Sequence, residues 1–177
     1  MRECVEHFQS DPLLISEVCE SDGWRRIMAD TFTNLLYHII FSTKHRVPMI
    51  QPDWQQRLYA YLGGAIRGEG GRLLEVGGTG EHVHMLAKLG PAKALAKVIG
   101  DVKANASKWI NNHRMLPAKF AWQRGYAAFT VSESSVPAVR HYIRTQETHH
   151  RRMTFEDELR LFLERNGIAF DEKYLLD

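Results

Sequence analysis

Four short stretches rich in apolar and β-branched residues predict β-strands, and their order restricts the fold more than any other feature of the sequence. The stretches are residues 33–43, 72–78, 82–89 and 125–132. The middle two flank Gly78-Thr79-Gly80, a tripeptide typical of a hairpin turn. The sequence therefore predicts an antiparallel pair in the middle of the chain.

Two amphipathic helical patterns separate the strands. The first opens at Pro52 and ends at Gly68, and the second covers residues 91–111. The order β-α-β-β-α-β predicts an α+β fold of the split βαβ type, which is ferredoxin-like or RRM-like. In this topology strands one and three lie at the centre of an antiparallel sheet, with two helices on one face. The other face is open to nucleic acid or to an added helix.

Two further helices are predicted to follow this pattern. Ser134 or Ser135 caps the first of them, with Pro137 in its first turn. Thr154 and Asp157 resemble a capping box at the start of the last helix.

The charge of the chain is unevenly distributed, although the 177 residues have a formal net charge of only +2. Residues 28–152 hold 17 basic and eight acidic side chains, whereas residues 1–27 and 153–177 are net acidic. A basic body favours a polyanionic partner, most often DNA or RNA, although a solvated surface without a partner fits equally well. No window approaches 18 apolar residues, so the sequence predicts no membrane span.

Residues 1–27 differ from the rest of the chain, because they are acidic and only patchily apolar. We predict that they are an extension outside the fold, with Met28 as an alternative start and a single domain over residues 28–177. A short helix docked on the body is the alternative. Cys4 and Cys19 form no CxxC pair, and no signal-peptide pattern precedes them, which predicts a reducing, cytoplasmic setting.

His82 and His84 lie on the third predicted strand, where residues two apart point to the same face. Both imidazoles can therefore converge on one ion, while Val83 and Met85 face the core. A lone His-x-His pair is a weak signal, because two polar residues on a solvated sheet face give the same pattern.

The first of the two later helices carries a polar stripe formed by Tyr142, Gln146 and His149, which are three or four residues apart. A packing stripe that includes Ile143 flanks it, so the helix can direct Tyr142 and Gln146 to the edge of a packed contact. Taken alone, this spacing also fits an ordinary interfacial tyrosine.

The two patterns together are more specific. Two imidazoles and an amide carbonyl form a mixed ligand set that suits Mg²⁺ or Mn²⁺, and no fourth fixed ligand is evident for a closed zinc site. Tyr142 would then lie against a metal-bound phosphate. A phenol titrates near ~10 and is a poor nucleophile until the phosphodiester is polarised.

At these residues the sequence resembles the small HUH-motif, single-tyrosine transposases of bacterial insertion sequences, whose relatives include REP-associated tyrosine transposases. His82-Val83-His84 matches the His-hydrophobe-His motif, and Tyr142 with Gln146 matches the nucleophile and the third metal ligand. Residues 36–46 and 122–132 resemble the first and fourth strands of the family. The resemblance covers about residues 30–176.

The resemblance implies a DNA strand transferase that cuts single-stranded DNA at element ends marked by hairpins. It implies a 5′-phosphotyrosine, a free 3′-hydroxyl, a requirement for Mg²⁺ or Mn²⁺ and no nucleotide cofactor. It also implies a homodimer in which the tyrosine helix of one subunit can complete the site of the other. Such an exchange needs a flexible stretch before the helix, and residues 132–135 are the candidate.

Several residues are weaker candidates. The basic side chains that could hold DNA phosphates are Lys44, Arg46, Lys88, Arg151 and Arg152, although each could be a solvated charge. His149 and His150 could assist proton transfer, contact DNA or cap a helix end. Tyr126 is a rival nucleophile, but a strand tyrosine is usually a sheet aromatic and this one has no ligand-type residue one turn away.

Two other functions remain open from the sequence alone. One is a domesticated relative that nicks host repeats by the same chemistry. The other is a non-catalytic nucleic-acid-binding domain on the same sheet. Such domains usually present aromatic residues on their middle strands, whereas this chain presents His82 and His84 there.

Overall fold

The computed structural model describes residues 32–150 and 153–172. The predictions for residues 1–27, for Met28 and for Arg151 and Arg152 lie outside these residues. In chain order the elements are β1 (Leu35–Ser42), α1 (Pro52–Gly68), β2 (Arg72–Gly78), β3 (His82–Leu89), α2 (Leu95–Asn112), β4 (Ala127–Thr130), α3 (Val136–Arg144), α4 (Gln146–His149) and α5 (Phe155–Arg165), with short 3₁₀ turns at Lys44–Arg46 and Glu133–Ser135.

The four strands form one antiparallel sheet in the order β2-β3-β1-β4. The predicted split βαβ arrangement is confirmed, including the central position of the first and third strands. Across the central pair, Ser42 lies opposite His82 and Ile40 lies opposite His84. This register brings the middle of β1 next to the His-x-His pattern on β3.

One face of the sheet forms the main core with α1 and α2. Ile39, Phe41, Val83 and Met85 point into it and are almost completely buried, because alternate residues of each central strand face the helices. The two helices contribute apolar residues at helical spacing, as the sequence predicts. This core fixes the central strands and therefore the side chains on their opposite face.

The opposite face of the sheet is covered by the C-terminal helices. Helix α5 packs Phe155 and Leu159 against Ile40 of β1 and Phe129 of β4 in a second, smaller apolar cluster. Helix α3 packs on β2 and β3. The predicted tyrosine-bearing helix on this face is confirmed, and α5 joins it there.

A close approach between α3 and β2 fixes where the tyrosine helix lies. A Cβ atom at Gly77 would lie 2.3 Å from the carbonyl oxygen of Ile143, so only glycine permits this contact. Glu75 of β2 also accepts from the guanidinium groups of Arg140 and Arg144, at 3.2 Å and 2.8 Å. Backbone contact and ion pairs therefore hold one face of α3 against the edge of the sheet.

Several element boundaries differ from the predicted ones. The second helix begins at Leu95 rather than at residue 91, because Ala94 is extended and Lys93 is tied to Glu69 by a 2.7 Å ion pair. The helical stretch that carries the tyrosine is interrupted at Thr145, which separates α3 from α4.

The predicted cap of the last helix is confirmed. The Thr154 hydroxyl accepts a hydrogen bond from the Asp157 amide at 3.2 Å and donates one to the Asp157 carboxylate at 2.7 Å. Within the described residues, no helix combines the length and the apolar character that crossing a bilayer requires.

The substitution Gly77→Ala is expected to lower the free energy of unfolding by about 1–3 kcal/mol, because the added methyl group forces α3 away from β2. Urea unfolding followed by circular dichroism measures the change. Gly100→Ala in α2 is the matched control: beyond the adjoining backbone of its own helix nothing lies within 4 Å of the added carbon, and helix propensity predicts a gain of up to ~1 kcal/mol. Unchanged stability of Gly77→Ala would show that this contact does not position α3.

Candidate metal and tyrosine site

The two histidines of the His-x-His pattern lie side by side on the central strand β3. His82 and His84 are both fully buried, and their ring centroids are 5.1 Å apart. The ring of Phe155 from α5 stacks on His82 at 4.3 Å, which places the pair on the face covered by the C-terminal helices. The structure therefore puts both imidazoles on one face, as strand alternation predicts.

A second polar group holds each imidazole through its Nδ1 atom. The Thr79 hydroxyl lies 3.0 Å from His82 Nδ1, and His38 Nε2 lies 2.9 Å from His84 Nδ1. Thr79 belongs to the turn between β2 and β3, and His38 lies on β1 beside β3. Both histidines therefore direct Nε2 into the space below the C-terminal helices. A hydrogen bond to the ring nitrogen that does not face the metal fixes the orientation and tautomer of a metal-binding histidine.

The neighbouring imidazoles of His38 and His84 are both neutral at physiological pH. Burial lowers the pKa of His84 to about 4, and the carboxylate of Glu158 offsets only part of this effect. Burial, together with His84, lowers the pKa of His38 to about 3. When His84 Nδ1–H donates to His38 Nε2, a lone pair remains on His84 Nε2 for a ligand.

Tyr142 and Gln146 meet the histidines within a single chain. The Tyr142 hydroxyl donates a hydrogen bond to Glu158 Oε1, and the Tyr142 ring centroid lies 5.9 Å from that of His84. Gln146 is buried, donates from Nε2 to Glu158 Oε1 at 3.2 Å and has Oε1 3.5 Å from His82 Nε2. The four residues selected from the sequence therefore surround one point.

The Tyr142 phenol is protonated in this environment. Burial raises its pKa well above the usual value, and the hydrogen bond to Glu158 adds to the shift. A neutral phenol is a poor nucleophile unless a nearby base accepts its proton. The site offers the acceptor in Glu158.

Glu158 was missed by the sequence analysis, although it lies at the centre of the site. It is on the first turn of α5 and only 2% exposed. Burial disfavours its charge, but His150, His84 and Tyr142 outweigh burial and hold the pKa of Glu158 well below its usual range. The sequence carried one signal: Glu158 lies on the apolar stripe of the helix, with Phe155 and Phe162 one turn away on either side.

His149 and His150 also approach this carboxylate. His150 Nε2 lies 3.2 Å from Glu158 Oε2, and His149 Nε2 lies 3.6 Å from Glu158 Oε1. Burial lowers the pKa of His150, but the Glu158 carboxylate outweighs it, so the net pKa is raised. His150 Nδ1 lies 3.0 Å from the carbonyl oxygen of Met153 and orients the ring.

The donor set fits a divalent cation. One donor atom from each of His82, His84, His150 and Glu158 lies within 4.8 Å of the others. His84 Nε2, His150 Nε2 and Glu158 Oε2 are buried without a hydrogen-bond partner, although Glu158 Oε2 lies only 3.3 Å from His84 Nε2. Buried polar atoms are rarely left in this state, and a shared cation would satisfy all three.

The described candidates for DNA contact are spread along the sheet. Arg46 is half-buried and forms a 2.6 Å ion pair with Glu156, and it lines a cavity of about 600 Å³ that also contacts His150. Lys44 is exposed on the same turn. Lys88 lies near the other end of β3, about 20 Å along the strand from His82 at ~3.3 Å per residue. Only the turn at residues 44–46 lies close to the site.

The rival nucleophile lies elsewhere. Tyr126 packs against the core between the sheet and helices α1 and α2, on the side opposite the histidines. Trp122 is also part of this core, where its ring meets Phe41 edge-on at 4.8 Å. Neither side chain reaches the cluster around Glu158.

Comparison with known families identifies a transposase relationship. The family described as "Transposase IS200 like" matches residues 31–146. Two transposases for insertion sequence element IS200, from Salmonella typhimurium and Salmonella typhi, are each 26% identical over 129 residues. The alignments cover 70% of this chain and 84% of each relative.

Two solved structures share the fold. A Deinococcus radiodurans R1 protein described as a candidate transposase superposes with a TM-score of 0.55 and 21% identity, covering 68% of this chain and 97% of that one. A REP-associated tyrosine transposase bound to a REP hairpin superposes with a TM-score of 0.53 and 12% identity, covering 70% and 73%. At these identities the similarity shows the fold alone.

His38→Phe is expected to weaken Mn²⁺ binding to the histidine cluster by about 10- to 100-fold, because it removes the group that orients His84. Calorimetric titration of Mn²⁺ into the purified protein measures the affinity. His113→Phe, at the exposed end of α2, is the control and should bind as the wild type does. Equal affinity in both variants would exclude a positioning role for His38.

Proposed function

This chain belongs to the IS200-like transposase family, and we propose that it cleaves and rejoins single-stranded DNA at hairpin-marked element ends through a 5′-phosphotyrosine. The proposal rests mainly on one observation, the proximity of one phenol to two imidazoles. Tyr142 and the pair His82 and His84 lie 58 or more residues apart in sequence, yet their side chains surround one buried point.

In the proposed reaction His82, His84 and Gln146 hold Mg²⁺ or Mn²⁺. A divalent cation bound there would polarise the scissile phosphodiester and stabilise charge on the departing oxygen. The buried Nε2 atom of His84, which has no hydrogen-bond partner, supports this assignment, as does the direction of both Nε2 atoms.

Tyr142 is the proposed nucleophile. Its phenolic oxygen forms a bond to phosphorus, and the bond between phosphorus and the 3′ oxygen breaks, so that oxygen leaves with the electron pair and takes a proton from water to become the 3′-hydroxyl. The phenolic proton passes to Glu158 Oε1, which already accepts its hydrogen bond. The phosphotyrosine keeps the energy of the broken bond, and attack by a 3′-hydroxyl on it rejoins DNA and restores the phenol.

The surroundings of Tyr142 support a protected covalent intermediate. The ring of Phe162 from α5 lies 5.7 Å from the Tyr142 ring, and His149 lies 5.3 Å from it on another side. Aromatic rings around the phenol limit the access of water, and hydrolysis of the phosphotyrosine would abort rejoining.

The proposed substrate is single-stranded DNA with a hairpin. The REP-associated relative that shares the fold is bound to a REP hairpin, and the basic central part of this chain suits a polyanion. Arg46 and Lys44 are proposed to hold phosphates near the site, and Lys88, Arg151 and Arg152 to contribute elsewhere. Action on chromosomal DNA would place the protein in the cytoplasm.

We further propose a homodimer that does not need an exchange of tyrosine helices. Tyr142 hydrogen-bonds Glu158 of its own chain, and residues 132–135 before α3 are compact, with Ser132 Oγ only 2.8 Å from Ser135 Oγ. Each subunit could therefore supply a complete site, and the second subunit would serve to bind the second element end.

The wild-type protein is expected to form a covalent adduct with labelled single-stranded DNA hairpins in Mn²⁺, and Tyr142→Phe is expected to form none. Removal of the phenolic oxygen removes the atom that bonds to phosphorus. A denaturing gel that separates free DNA from protein-bound DNA measures the adduct.

Tyr126→Phe is the matched control, because it deletes the same atom from the face of the sheet remote from the histidines. It should form the adduct at the wild-type level. An adduct in Tyr142→Phe would reject this nucleophile, and no adduct with the wild type across many hairpins would favour a non-catalytic DNA-binding domain.

A further inference from the structure

The carboxylate of Glu158 occupies an unusual environment for a helix side chain. It reaches from α5 into the buried site, where it is 2% exposed. Its two oxygens face different groups: Oε1 accepts from Tyr142 and Gln146, and Oε2 faces the Nε2 atoms of His84 and His150 at 3.3 Å and 3.2 Å. One oxygen is therefore engaged by donors, and the other points at two imidazole nitrogens.

A buried carboxylate needs a positive partner, because transfer of an unpaired charge out of water is costly. Among the described residues, the basic side chains that form ion pairs with Glu158 are all histidines, and none is a lysine or an arginine. Glu158 Oε2 has no hydrogen bond, and neither have His84 Nε2 and His150 Nε2. Three ligand-type atoms thus converge, since Glu158 Oε2 lies within 3.3 Å of both imidazole nitrogens.

We propose that Glu158 and His150 are ligands of the same divalent ion as His82 and His84, an inference that rests on the metal site of the proposed function. The C-terminal segment then brings the imidazole and carboxylate donors of the site to four, three imidazole nitrogens and one carboxylate oxygen, in addition to the Gln146 carbonyl oxygen. All four donor atoms lie within 4.8 Å of one another, a spacing that one cation can bridge.

This donor set determines which metal the site prefers. Mg²⁺ favours oxygen ligands and retains several waters, whereas first-row transition ions accept imidazole nitrogen, with Mn²⁺ at the weak end of their affinity series. We therefore expect the DNA-free protein to bind Mn²⁺ more tightly than Mg²⁺, by on the order of tenfold or more.

The same carboxylate would link the ion to the nucleophile. Glu158 Oε2 faces the imidazoles, and Glu158 Oε1 holds the Tyr142 hydroxyl. Binding of the ion would thereby fix the phenol close to it. A DNA phosphate would then enter at a remaining position of the ion or take the place of the carboxylate.

Calorimetric titration of Mn²⁺ and Mg²⁺ into DNA-free protein tests the inference, with Glu164→Gln as the control on the exposed side of α5. Glu158→Gln is expected to lower Mn²⁺ affinity by about 10- to 100-fold, and His150→Gln to reduce the preference for Mn²⁺ over Mg²⁺. Glu164→Gln should behave as the wild type.

The visible absorption of bound Co²⁺ provides a second readout, because it reports the ligands of the ion directly. Glu158→Gln and His150→Gln should each change this spectrum, and Glu164→Gln should not. A folded Glu158→Gln protein that binds Mn²⁺ as tightly as the wild type would overturn the inference and identify His150 as the counter-ion of Glu158. If thermal melting shows that Glu158→Gln is unfolded, an unchanged Co²⁺ spectrum in His150→Gln overturns the inference instead.

These outcomes separate the inference from the proposed reaction, since every titration is made without DNA. A covalent adduct together with unaltered Mn²⁺ affinity in Glu158→Gln rejects this ligand set alone. Loss of Mn²⁺ affinity in that variant, with no adduct from the wild type on any hairpin, rejects the strand-transfer reaction alone.

Discussion

The pairing of one buried carboxylate with imidazoles and a phenol organises the whole face of the sheet on which the site lies. Glu158 contacts side chains from β3, α3 and the segment that follows α4, and it reaches them from α5. Because the carboxylate is removed from water, each contact matters more than it would at the surface. The position of α5 and the geometry of the site therefore depend on each other.

One face of the sheet forms the apolar core, and the opposite face carries the side chains of the candidate site. Ile39 and Val83 bury one side of the central strands under α1 and α2, while His38 and His84 stand on the other side. The apolar face holds the strand backbone and so fixes the positions from which the imidazoles project. Gly77 positions α3 as well, because its backbone contact with Ile143 fixes the distance between the tyrosine helix and the sheet.

The sequence predicts only those parts of the site that follow from the spacing of nearby residues. Strand alternation at residues 82–84 and the three- and four-residue spacing around Tyr142 are local, so the sequence showed both. His38 could be assigned to the correct face by alternation, but its contact with His84 depends on the register between β1 and β3, which no local pattern encodes. Glu158 was hidden for another reason: acidic residues are common in the first turn of any helix.

The phosphodiester group of a nucleic-acid substrate resembles the Glu158 carboxylate that the site already contains. A phosphodiester, like the Glu158 carboxylate, presents oxygen atoms with negative charge, and both favour the same cation and the same hydrogen-bond donors. Tyr142 now donates to the carboxylate, whereas attack requires its oxygen to face phosphorus. In the proposed reaction the same hydrogen bond keeps Glu158 Oε1 in place to take the phenolic proton. The small apolar cluster beneath α5, formed with Ile40 and Phe129, holds the helix that carries this carboxylate.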